Sequence, residues 1–129
     1  REYLSYGSMR AFGLTTARTA FARVTLNGKD VGDYNLVEQM DGRFFRSHFD
    51  FYGDVYKPDA RSGTLVDKGD EFSDYVGANH EWGDTTTHTS FLNLVDVLNS
   101  VPVSAWDAVL DVDAALTYLA VNAAVGNED

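Results

Sequence analysis

The stretch that most constrains what this chain can fold into is Arg18 to Lys57, where two strand-like runs flank the tight-turn signal Asn27-Gly28. In Thr19 to Leu26, the residues Ala20, Ala22, Val24 and Leu26 alternate with Thr19, Phe21, Arg23 and Thr25, the period of a half-buried strand. Asn27-Gly28 supplies the positive backbone angles of a two-residue turn, with Lys29-Asp30 able to lengthen the loop. A returning strand is expected from Val31 to Gln39, with Tyr34, Leu36 and Glu38 on one face and Asp33, Asn35 and Val37 on the other. Glu38 then stands on a partly apolar face, where a carboxylate is either solvated at the strand end or paired with Arg18, Arg23 or Arg43. Burying it alone would be prohibitively costly.

Beyond the hairpin, Phe44, Phe45 and Phe49 fit one face of a short helix with Asp41 as its cap. Val55-Tyr56-Lys57 reads as a short strand stopped by Pro58, with Glu38 expected on a neighbouring strand of the same sheet. Asp59 to Thr89 is irregular and polar, punctuated by Gly63, Gly69, Gly77 and Gly83. Segments of that length without regular structure are usually functional or mobile. Helical periodicity returns with Phe91, Leu92, Leu94, Val95 and Leu98. Ser104 and Asp107 have the spacing of a capping box for a short helix through Leu110. Asp111 is placed to cap a last helix, Val112 to Val125, whose Leu116, Leu119, Ala120 and Ala123 share a face and which Gly126 ends. At the other end, Arg1 to Phe12 reads as a helix with Leu4, Met9 and Phe12 on one stripe and Gly13 as its stop. The pattern as a whole is α+β.

Charge narrows the partners. Twenty acids against ten Lys and Arg give a net charge of -10, with no basic cluster, which argues against a nucleic-acid backbone. No run of about 18 apolar residues is present, so no membrane-spanning helix is expected. The absence of cysteine excludes disulfides and thiolate metal sites. His48, His80 and His88 lack zinc-ligand spacing, and Asp67, Asp70, Glu71 and Asp74 lack the twelve-residue calcium-loop pattern, so they read as a solvated turn. Neither G-x-G-x-x-G nor G-x-x-x-x-G-K-[ST] occurs. The chain has no initiator methionine and stops at Asn127-Glu128-Asp129, directly past a helix end, so it reads as a fragment.

Three pieces in this order, RTAFARVTLNGKDVGDYNLVEQMD, GDVYKP and LAVNAAVGNED, resemble the CotH kinase family, atypical kinase-like proteins named for a bacterial spore-coat component. The combination Arg-Thr, Asn-Gly, Gly-x-Tyr-x-Leu-x-Glu, Tyr-Lys and Gly-Asn-x-Asp carries the resemblance over nearly the whole chain. It implies an ATP- and Mg²⁺-dependent protein kinase acting on Ser or Thr of spore-coat or secreted proteins. The implied architecture is a kinase-like N-lobe with an antiparallel sheet over residues 1–84, then the start of a helical C-lobe over residues 85–129.

Phosphoryl transfer needs a cation on the nucleotide phosphates, an acid to hold that cation, a carboxylate at the acceptor hydroxyl, and oxygen ligands for Mg²⁺. By resemblance these roles fall to Lys57, Glu38, Asp129 and, for the metal, Asn127, with further ligands expected beyond the C-terminus. The family's Trp-Asp-x-Asp-like motif is missing, so this chain alone is expected to transfer phosphate poorly. The alternative is a kinase-like scaffold of a coat or cell-surface assembly that has lost the chemistry. Arg18 and Arg23 read as sheet-face ion pairs, and Tyr34 and Tyr56 as packing or as a border to an adenine.

Overall fold

The computed structural model describes residues 2–50, 53–59, 63–83 and 85–127. The elements in order are α1 (Glu2–Ala11), β1 (Thr19–Leu26), β2 (Lys29–Val37), α2 (Gly42–His48), β3 (Val55–Pro58), β4 (Ala78–Trp82), α3 (Thr89–Ser100) and α4 (Val112–Val125). Two 3-10 helices, Phe72–Asp74 and Val103–Ala108, lie on either side of α3. The fold is α+β, as the sequence pattern implied, with two small antiparallel sheets, β1-β2 and β3-β4. By compactness the chain divides into one unit of residues 1–49 and 113–129 and another of residues 50–112.

In the first unit the turn forms where expected. Asn27 and Gly28 both have positive φ, and Leu26 pairs directly with Lys29, so the loop is two residues long. The ladder then carries a bulge: Thr25 faces Asp30 while Val24 faces Gly32, which leaves Val31 as the extra residue. Gly32 adopts φ +106 there, and its N–H donates to Asp30 Oδ1 at 2.9 Å. Glycine suits this position because a side chain would be strained at such an angle. Arg23 bridges the bulge, pairing with Asp33 at 3.1 Å and also with Asp30.

Helix α1 covers the face of the hairpin that carries Phe21 and Asn35, which are direct cross-strand partners. Tyr3 stacks on Phe21 at 4.6 Å, and Asn35 Nδ2 donates to Glu2 Oε2 at 2.9 Å. On the other face, which the sequence marked as the inner one, Ala22 and Val24 are half-buried and Leu26, Tyr34 and Leu36 are exposed. The buried side of α1 is Ser5 and Met9, whereas Leu4 and Phe12 of the expected stripe are exposed. Gly13 ends the helix at φ +85, with Leu14 N–H bonded back to Met9 O, a Schellman-type closure. Helix α2 begins at Asp41, whose Oδ1 accepts from the N–H groups of Arg43 and Phe44 at 2.8 and 3.2 Å. Those donors hold the Asp41 carboxyl below its usual range.

Helix α4 occupies its expected span but turns the other way. Val121 and Asn122 are buried, while Leu116 and Leu119 are 58% and 61% exposed. Its sequence is apolar on every side, so periodicity alone carries little information about its buried face.

The second unit is built on a cluster that joins residues of the expected helix and short strand to Phe72, Tyr75 and Ala78 from the stretch read as irregular. Tyr75, Ala78, Phe91 and Val95 form its buried centre, with Tyr56, Phe72 and Leu92 packed against it. Strand β4 pairs with β3, Tyr56 opposite His80 and Lys57 opposite Asn79. The β3 partner is therefore β4 and not β2, which corrects the expectation that Glu38 lies on the strand next to Lys57. Ser104 sits inside the second 3-10 helix, whose N-cap is Pro102, so the expected capping box does not form.

Phe91→Ala should cost about 3–5 kcal/mol of unfolding free energy, the usual loss for a large buried aromatic. Leu119→Ala should stay within about 0.5 kcal/mol, since its side chain is largely in water. Urea denaturation of the two variants checks this assignment of buried and exposed faces.

Candidate functional site

Glu38 follows the end of β2, and Arg18 precedes the start of β1, so the closing of the hairpin brings them together. The two residues bind each other through backbone and side chain. Glu38 N–H donates to Arg18 O at 2.8 Å, and Arg18 N–H donates to Glu38 Oε2 at 3.0 Å. Arg18 Nε and Nη2 both donate to Glu38 Oε1, at 3.0 and 2.5 Å. The acid side chain is 18% exposed and the guanidinium side chain 76%. Such a grip favours the ionised acid: the Arg18 side chain first, then its backbone N–H, hold the Glu38 carboxyl at about 2.

A cavity of about 490 Å³ opens in the same unit. Its lining includes Ser5 and Met9 of α1, Thr16 and Met40 from the segments flanking the hairpin, and Tyr118 and Asn127 from α4 and its end. Thr16 and Met40 each lie two residues from the Arg18–Glu38 pair, which ties together the segments that carry them. Asn127 enters because α4 ends in a tight turn at Gly126, φ +61. Its N–H donates to Asn122 O at 2.9 Å, and its Nδ2 donates to Asn122 Oδ1 at 2.8 Å. With the amide nitrogen so engaged, Oδ1 is the side-chain atom left for a cation.

In the second unit, Lys57 is exposed near the end of β3. Beside it in sequence, Tyr56 packs among Phe72, His80, His88 and Phe91, with ring centroids 4.9–5.9 Å away, and its hydroxyl meets His88 Nδ1 at 3.0 Å. Burial, then the charge of Asp54, raise the Tyr56 pKa. Asp54 Oδ1 accepts from His80 Nε2 at 3.0 Å and from Thr85 N–H at 3.3 Å. Gly83 lies so close that a Cβ there would sit 2.1 Å from Asp54 Oδ1. Sequence reading missed this polar-aromatic group. Asp54, just ahead of β3, and Tyr56 on it were a signal, but the counterpart on β4 was hidden in polar, glycine-punctuated chain.

The structure thus brings Glu38 to Arg18 and puts Asn127 at a cavity within one unit, while Lys57 belongs to the other unit. Asp129 lies outside the described residues. The acidic turn is built from its own hydrogen bonds: Asp67 Oδ1 accepts from Gly69 N–H and the Tyr75 hydroxyl, and Asp74 Oδ2 from Glu71 N–H. Among the described residues no group of three or more histidine or acidic side chains is arranged to hold a metal ion. Mg²⁺ requires near-octahedral oxygen coordination, and Asn127 alone does not supply that donor set.

The model of the family described as CotH kinase protein matches residues 1–129, the whole chain. The chain belongs to the CotH kinase family. No curated protein matches it. Membership gives this CotH kinase chain a kinase-like role and implies a nucleotide and a protein substrate, and the family name hints at the spore coat. Among the described residues no helix is long and apolar enough to cross a membrane.

The Arg18–Glu38 pair makes a pH prediction. The Glu38 carboxyl titrates at about 2 in the folded chain, below its ordinary 4.5. Its stabilising contribution is therefore complete above the ordinary value and is lost as pH falls through that window. Glu38→Gln should flatten this part of the acid limb of a stability-versus-pH curve. Arg18→Gln should return the carboxyl toward 4.5 in a carbon-13 titration.

Proposed function

We propose that the chain is the nucleotide- and acceptor-binding part of an ATP- and Mg²⁺-dependent protein kinase, acting on Ser or Thr of spore-coat or secreted proteins. In this reading residues 1–84 are the N-lobe-like portion and residues 85–129 the start of the helical lobe. The observation that carries it is the convergence within one unit of motif pieces far apart in sequence. Arg18 binds Glu38, and the segments beside them meet Asn127 around one cavity.

The roles follow from the charge that phosphoryl transfer must handle. Lys57, exposed on a short strand, neutralises phosphate oxygens. Glu38, ionised at every physiological pH, is the motif's acid, and the cation it holds is Arg18. Asp129 accepts the proton of the acceptor hydroxyl as its oxygen bonds to the γ-phosphorus and the bond from that phosphorus to the bridging oxygen breaks, the diphosphate leaving with the electron pair. Mg²⁺, when bound, would offset charge on the phosphates, and Asn127 Oδ1 would give it one oxygen of the several it needs.

The second reading, a kinase-like scaffold without chemistry, draws on Glu38 being already engaged by Arg18 through three hydrogen bonds. A carboxylate has about four acceptor positions, so one remains for a further cation. In the full-length protein, Lys57→Ala and Asp129→Asn should each lower phosphate transfer to a protein substrate by at least about 10²-fold. The urea midpoint should not move, because Lys57 is exposed. Transfer at the original rate in either variant would remove that residue from the reaction, and no transfer by the unaltered protein would favour the scaffold.

A further inference from the structure

We propose that Asn27 is a site of spontaneous covalent modification by water, converted to aspartate or isoaspartate whenever the hairpin tip opens. The proposal stands apart from the kinase reading. In the first step the Gly28 backbone nitrogen bonds to Asn27 Cγ as the Cγ–Nδ2 bond breaks, and ammonia leaves with the proton that nitrogen gives up. In the second, water adds to one of the two carbonyl carbons of the resulting five-membered ring, the bond from that carbon to nitrogen breaks, and the nitrogen takes back a proton. Opening at Cγ gives aspartate. Opening at the backbone carbonyl carbon gives isoaspartate, with one more carbon in the main chain.

Sequence and surroundings single out Asn27. Of the chain's asparagines it alone precedes a glycine, whose missing side chain leaves the attacking nitrogen uncovered. Asn27 is exposed, and its carboxamide makes no hydrogen bond among the described residues. No described atom lies within 4 Å of where a Cβ of Gly28 would stand, so the ring has room to form. Asn35, Asn99 and Asn122, by contrast, donate from their amide nitrogens to Glu2, Val95 and Tyr118. At Asp41-Gly42, the other place where a short acid or amide precedes glycine, the carboxylate is held by the N–H groups of Arg43 and Phe44.

The turn sets the rate. With φ +52 at Asn27, φ +77 at Gly28 and Leu26 paired to Lys29, the tip is a type I′ turn. A left-handed residue has ψ near about +47°, which carries the following nitrogen to the side of the backbone opposite Cβ. The Gly28 nitrogen therefore reaches Cγ only after the tip opens. Only the pairs Leu26–Lys29 and Thr25–Asp30 lie between the tip and the bulge, so a local opening need break little of the ladder. Arg23 is the clamp on that opening, because it binds Asp30 on one side of the bulge and Asp33 on the other. Each opening that leads to reaction is recorded as a permanent negative charge at the tip.

Peptide mapping of the full-length protein, incubated at mildly alkaline pH, tests this, with mass following deamidation and an isoaspartyl methyltransferase labelling the iso form. Wild type should accumulate both products at Asn27 ahead of every other asparagine. In guanidinium chloride the rate at Asn27 should rise at least about tenfold, as the turn no longer withholds the nitrogen. Arg23→Gln should raise it roughly threefold in the folded protein, the scale set by exposed ion pairs. Asn27→Gly, which keeps the positive φ of the turn, should leave the tip peptide unlabelled. Earlier modification of another asparagine, or none at Asn27 over an incubation many times longer than the unfolded chain needs, would overturn the site. Equal rates in folded and unfolded protein, or in wild type and Arg23→Gln, would overturn the control by tip opening.

Discussion

A carboxylate drawn mostly out of water must be paid for by a cation, and that requirement organises the first unit. Glu38 meets it with Arg18, which lies twenty positions earlier in the chain and is brought alongside by the hairpin. The pair closes the open end of the β1-β2 ladder as the Asn27-Gly28 turn closes the other. A two-stranded sheet is marginal by itself, so locking both ends and laying α1 across one face are what hold it. The same lock fixes the segments that lead into the cavity.

The second unit solves the opposite problem, that of placing polar groups inside an aromatic centre. Tyr56 and His88 satisfy each other, and Asp54 satisfies both His80 and the backbone of Thr85. His88 adopts a left-handed conformation ahead of α3, and its ring stacks on Phe72 at 3.8 Å. These bonds tie β3 to β4 and to the entrance of α3, which keeps β3, and Lys57 with it, in register.

How much of this the sequence disclosed depended on how local the deciding force was. The turn at Asn27-Gly28, the Asp41 cap and the spans of α3 and α4 follow from backbone preferences a few residues long, and they were legible. Strand β4 was not. Its Asn79, His80 and Glu81 become strand only because β3 offers a partner and Tyr56 offers His80 a ring. Which side of α4 is buried depends on its surroundings, since leucines and alanines line every side of it. The association of Glu38 with Arg18 was one of three arginine options left open, and hairpin register decided it. The lysine's strand, by contrast, found its partner in a stretch that carried no strand signal.

The bulge at Val31 has a consequence for how chain length can vary. Because one residue there is already out of step with the opposite strand, losing it would merge the two halves of the ladder into a regular one. The side chains from Asp33 to Glu38 would keep their faces, and Glu38 would still arrive at Arg18. A deletion anywhere between Asp33 and Val37 would instead turn the acid to the wrong side. The hairpin tip can therefore absorb a single-residue deletion, whereas the stem that delivers Glu38 cannot.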